Sequence, residues 1–118
     1  MRYPKAERIG GSAIIVGELP EVPIEQVREA ADWLRTEAGS AVVCLAVCTE
    51  GKPMLIAAMT DDLVKKGLKA GELIQTIVPA IDGRGGGKPD IAQAGGKNPD
   101  GIPQALAAAS DWLRQKLS

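Results

Sequence analysis

Apolar positions along this chain change spacing several times, and each change marks a predicted element. Residues 12–19, SAIIVGEL, are a short β-branched run and predict a strand. From Ile24 the spacing turns helical. Ile24, Val27, Ala31, Leu34 and Ala38 share one stripe, Pro23 suits the first turn and Gly39 suits the stop. Residues 41–49 and 54–59, AVVCLAVCT and MLIAAM, show no polar alternation. Such runs predict strands buried on both faces, here a hairpin joined by EGKP. Residues 60–67 open on cap-type residues and end in glycine, which predicts one or two helical turns. Leu73, Ile74, Ile77, Val78 and Ile81 place a second helix over 70–81, its last turns bent or thinned by Pro79. Residues 90–94 predict a short strand and NPDG a turn. Ile102, Leu106, Ala109, Leu113 and Leu117 predict a third amphipathic helix over 102–117.

The resulting order is strand, helix, strand, strand, helix, short strand, helix. It predicts an α/β fold: a mixed β-sheet core flanked by about three main helices, in a single layered domain spanning 1–118. Residues 1–10 carry no pattern and predict a loosely ordered start. That start also lacks the apolar core of a signal peptide, and no apolar run approaches membrane-spanning length.

Composition sharpens the picture at three points. The chain has 118 residues, is 45 % hydrophobic and contains no Phe, so its core must be built from aliphatic side chains. Its net charge is −1, which argues against indiscriminate nucleic-acid binding but leaves room for a local basic patch. Its two cysteines, Cys44 and Cys48, would share one face of a strand roughly 13 Å apart. That is too far for a disulfide. Buried free thiols are expected, as in a reducing cytoplasm. No histidine is present to join them in a metal site.

The unusual segment is 83–96, GRGGGKPDIAQAGG, in which six of fourteen residues are glycine. It is not a Walker loop, because Lys88 is followed by Pro89 rather than Ser or Thr. It is not a dinucleotide fingerprint, because a helix precedes it instead of a strand. What remains is bare backbone beside Arg84, Lys88 and Lys97. Consecutive glycines leave N–H groups uncovered, and the surrounding cations favour an anionic partner. A tight crossover between helix and sheet is the structural alternative, and the two readings are compatible.

These residues carry a resemblance. The segment is similar to the signature of the C-terminal domain of alanyl-tRNA synthetase: a glycine run, Arg-Pro-Asp, a hydrophobic residue, then Ala-Gln-Ala-Gly-Gly. EGKPMLIAAMTDDL and KAGELI resemble the same domain in order and spacing, and the similarity runs from about Gly11 to Leu117. The resemblance implies a relative of the DHH-associated domain of certain phosphoesterases. It implies a non-catalytic module that contacts the outer corner of tRNA, so that aminoacylation and editing domains of one cytoplasmic chain can share it. Dimerisation, or origin in a free-standing alanyl-tRNA editing protein, are the alternatives it leaves open. No cofactor and no metal are implied.

Onto this chain the resemblance carries an RNA-binding set of Arg84, Gly85, Gly86, Gly87, Lys88, Gln93, Gly95, Gly96 and Lys97. Lys88 stands where the synthetases commonly have Arg, which keeps the charge and loses the planar fork. The phosphoesterases carry His at the end of the glycine run. This chain has none, so stand-alone hydrolysis is not expected. Asp90 is expected to pin its loop by accepting backbone N–H bonds. Lys65, Lys66 and Lys69 are expected on a solvated helix face. Trp112 is expected in the core and Trp33 at its edge. No strand carries an aromatic pair for base stacking, so recognition should rest on RNA shape and backbone.

Overall fold

In the computed structural model, which describes residues 6–117, six strands form one sheet ordered β1-β2-β3-β4-β6-β5. These are β1 (Ala6–Ile9), β2 (Ser12–Glu18), β3 (Ala41–Thr49), β4 (Lys52–Met59), β5 (Arg84–Gly87) and β6 (Ile91–Gly95). The helices are α1 (Ile24–Ala38), α2 (Asp61–Lys65), α3 (Ala70–Ile77) and α4 (Ile102–Leu117). Only β2 and β3 run parallel, joined through α1; every other pair is antiparallel. None of these helices is long and apolar enough to cross a membrane.

The unbroken apolar run of β3 now has its reason. Val43, Leu45 and Val47 face Val27, Ala30 and Ala31 of α1 in one core cluster. Val42, Cys44 and Ala46 face Leu73, Ile74 and Ile77 of α3 and Ala105, Ala109 and Leu113 of α4 in the other. Helices therefore cover both faces of a mixed sheet, as the hydrophobic pattern predicts. Proline has the anticipated effect, since α3 stops at Ile77 and Val78–Ile81 tighten into a 3-10 turn.

Four features depart from the expectation. Ala6–Ile9, placed in a loosely ordered start, form edge strand β1; the rest of that start, 1–5, lies outside the described residues. The signal was Gly10-Gly11, both at positive φ, which is a hairpin turn chemistry. The β3–β4 connection is shorter than EGKP, because Lys52 and Pro53 already belong to β4, paired with Thr49 and Cys48. The glycine run is itself a strand, β5. Cys44 is fully buried, whereas Cys48 is only half-buried.

A hydroxyl chain closes the junction between α1, β3 and α2. Ser12 Oγ lies 2.9 Å from Ser40 Oγ, and Ser40 donates to Asp62 Oδ2 at 2.5 Å. Thr60 Oγ1 donates to the other Asp62 oxygen. The Ser40 bond, then the Thr60 bond, hold the Asp62 carboxyl below its usual value.

Two outcomes follow from this packing. Burial pushes the Cys44 thiol up to about 12, so a thiol reagent added to the native protein should label Cys48 first and reach Cys44 only as the fold opens. Rapid labelling of both would contradict the burial. For Asp62, a lowered folded-state value means stability that is present above pH 4 or so and is lost as pH falls through the folded value. Asp62→Asn should therefore melt below the parent at pH 7, and the difference should shrink below pH 4 in thermal scans.

Candidate nucleic-acid interface

The segment 83–96 folds as an antiparallel hairpin at the edge of the sheet, β5 paired with β6 in the register Arg84↔Gly95, Gly85↔Ala94, Gly86↔Gln93 and Gly87↔Ala92. Lys88 donates its N–H to Ile91 O at 2.9 Å, which extends the same register. Alternation then makes Arg84, Gly86 and Lys88 the residues that bond to β6, and turns the N–H and C=O groups of Gly85 and Gly87 toward the open edge. Gln75 of α3 donates to the outward Gly85 O.

Glycine in this hairpin is largely a packing requirement. A Cβ on Gly85 would fall on Ala94 Cβ and Gln93 O, and one on Gly87 would come within 2.7 Å of Ile91 O. A Cβ on Gly83 would strike Gly95 O, and one on Gly96 would strike Ile81 O. Across the other boundary, a Cβ on Gly71 of α3 would sit 3.2 Å from Gly87 O. The backbones of β5, β6 and α3 are thus in close contact, and the crossover reading of the glycine run is physically real.

Both ends of the hairpin are fixed. At its tip, Pro89 O accepts from Ala70 N at 2.8 Å, and Asp90 O accepts from Met59 N at 2.8 Å. Arg35 of α1 donates to Met59 O and Asp90 O, each at 3.1 Å, and is itself ion-paired with Asp32 at 2.6 Å. Asp90 does pin its loop, but its backbone carbonyl is the acceptor and its carboxylate lies 3.9 Å from Arg35. At the other end, Gly96 N donates to Pro53 O at 3.0 Å, while Lys97 N and Asn98 N both donate to Ile81 O at 2.9 Å.

The predicted site residues do not form one cluster. Arg84, Gly95, Gly96 and Lys97 meet in a cleft of about 650 Å³ with Lys52, Met54 and Asp82. Gly86, Gly87, Lys88 and Gln93 line a smaller cleft of about 250 Å³ with Arg28 and Ile56, on the α1 side. A four-residue strand separates the two, roughly 13 Å. A third cleft, on the α3 side of β5, joins Lys69 to Gly86, Gly87 and Trp112. Sequence reasoning missed Lys52 and Arg28. The family-like stretch EGKPML contained Lys52, yet only the β4–β6 register, Met54↔Gly95, brings it to the glycines. Lys65 and Lys66 are exposed on or just after α2, as a solvated face requires. Trp112 is half-buried, with Lys116 Nζ 5.6 Å from its ring centre, and Trp33 is 53 % exposed. Among the described residues no group of His, Cys, Asp and Glu could hold a metal ion.

The sequence matches the family model described as DHHA1 domain over residues 11–115. It is 47 % identical over 114 residues to an alanine–tRNA ligase of Ligilactobacillus salivarius, covering 96 % of this chain and 13 % of that protein. It is 42 % identical over 106 residues to the alanine–tRNA ligase of Geobacillus kaustophilus, covering 90 % of this chain and 12 % of that protein. The chain thus spans about an eighth of the length of these relatives. Among solved structures, the C-Ala domain from Aquifex aeolicus alanyl-tRNA synthetase superposes with a TM-score of 0.80 at 32 % identity, covering 97 % of this chain and 98 % of that one.

Adjacent glycines differ in the room around them. Gly85→Ala should destabilise by about 1–3 kcal/mol through overpacking against β6. Gly86→Ala should cost less, since its Cβ meets only the movable Gln75 Nε2 at 3.2 Å. Urea unfolding of the two variants checks this, and equal losses would refute the register.

Proposed function

The chain belongs to the DHHA1 domain family and, within it, is a homologue of the C-Ala domain of alanyl-tRNA synthetase; on that premise we propose that it is a tRNA-binding module that performs no chemistry of its own. Its role in this reading is to hold the outer corner of tRNA, in the cytoplasm, for the aminoacylation and editing modules of an alanine–tRNA ligase. It needs no cofactor for that.

One observation carries the reading most directly. Arg28, Lys52, Arg84, Lys88 and Lys97 line the two clefts of the glycine hairpin, and among the described residues none of them is in an ion pair. In a chain of net charge −1, that is a local concentration of unneutralised cations around exposed backbone. Such a surface suits a phosphodiester chain, whose contacts position a folded RNA without reading its sequence. At the tip, Lys88 supplies attraction while Gly86 and Gly87 permit close approach.

A second reading has its own observation. Trp33 stands exposed on α1 and suits contact with another protein segment or a second copy of the chain. Sedimentation of the parent and of Trp33→Ala separates this from RNA binding.

The test of the first reading is a salt titration of tRNA binding by the 118-residue chain. Lys88→Ala should weaken binding about equally for different tRNA species and lower the salt slope by roughly one unit. Absence of binding by the parent at low salt would overturn the proposal.

A further inference from the structure

We propose that the cleft at the end of the hairpin opposite its tip, lined by Gly95 and ringed by Lys52, Arg84 and Lys97, is a nucleotide-sized RNA contact, and that Gly95 faces the ligand. This rests on the tRNA-binding reading and assigns to it a site distinct from the Lys88 tip.

One glycine of the hairpin is not required by the packing of the fold. Gly83, Gly85, Gly87 and Gly96 are each barred from carrying a side chain by backbone closer than 3 Å. Gly95 is not. A Cβ there would find nothing nearer than Pro53 O at 4.0 Å, and its φ is not in the left-handed region. The residue is exposed and sits at the end of a paired strand, where glycine weakens the strand relative to any residue with a side chain. Packing, turn geometry and close strand approach, the reasons that explain its neighbours, are all absent at this position.

What Gly95 does adjoin is a cleft. Its cross-strand partner Met54 stands on the same face of the sheet, half-buried, and Pro53 lies beside it. Bare backbone next to the half-buried Met54 thioether makes a flat apolar ledge of the kind that accepts a ribose or a base face. Around that ledge Lys52 comes from β4, Arg84 from β5 and Lys97 from the segment after β6, so three elements converge three positive charges. All three are exposed, and none has an ion-pair partner among the described residues. Asp82 is the one carboxylate lining the cleft. Three cations against one carboxylate leave the cleft net positive, and an anionic ligand relieves the remaining repulsion. The ledge and the cations together fit a phosphate with its attached nucleoside. An acidic peptide would satisfy the charges but leave the flat ledge unused.

The experiment compares Gly95→Ala, Lys52→Ala and the parent chain. It uses fluorescence anisotropy with a tRNA transcript and with a poly-glutamate peptide, beside thermal melts. Gly95→Ala should melt at or above the parent and bind the transcript roughly tenfold more weakly, the scale of one lost nucleotide contact. Lys52→Ala should keep the parent melt and lower the salt slope by roughly one unit. A marked fall in the Gly95→Ala melting temperature would make Gly95 structural and overturn the assignment. Parent-like transcript binding by both variants would also overturn it, while a weakened Lys88→Ala would leave the RNA reading intact. Tight binding of the peptide with none of the transcript would overturn both.

Discussion

Two strands at the centre of this sheet have almost no side that water can reach, and everything else follows from covering them. Every side chain from Ala41 to Val47 is fully buried, and so are those from Leu55 to Met59 to within about a hundredth. Burial on both faces demands a helical layer on each, because apolar area left open on either would forfeit the main driving force of folding. α1 supplies one layer. α3 and α4 supply the other. The outer strands have a different problem, because α3 must reach the edge of the sheet and the edge must let it approach. Glycine solves that on both sides: Gly71 lets α3 come up to Gly87 O, and Gly85 and Gly87 let β5 close against β6.

This division explains what could be read from the chain and what could not. The long elements announce themselves through period. The stripe from Ile24 to Ala38 and the two-faced run of β3 leave little choice, and the boundaries of α1, β3 and α4 fall where their caps and breakers put them. β5 has no such voice. Arg84–Gly87 contains no apolar side chain, so its strand character comes wholly from pairing with β6, which is a tertiary fact. β1 is four residues long, too short for alternation to register, although the Gly10-Gly11 turn marks it in retrospect.

The candidate site was legible to the same degree. Adjacent residues of the glycine segment share a motif, and a motif suggests one cluster. Strand geometry pulls them apart, sending Arg84 and Lys97 to one end and Lys88 to the other. It also recruits Lys52 and Arg28 from far away in sequence, through strand register and helix placement that no local pattern encodes. Residue type was therefore readable, and grouping was not.

A glycine strand in isolation would be among the most disordered pieces of a chain. Here its tip is tied to α1 through Arg35 and to α3 through the Ala70–Pro89 bond, and its other end is tied to Ile81. The conformational entropy that such a strand surrenders is therefore given up when the domain folds, not when a partner arrives. Recognition and stability become linked quantities. Residues such as Arg35, which hold the hairpin tip from α1, set how much order the strand has before any contact is made. The hairpin works less like a flexible arm than like a template whose shape is set in advance by two helical layers.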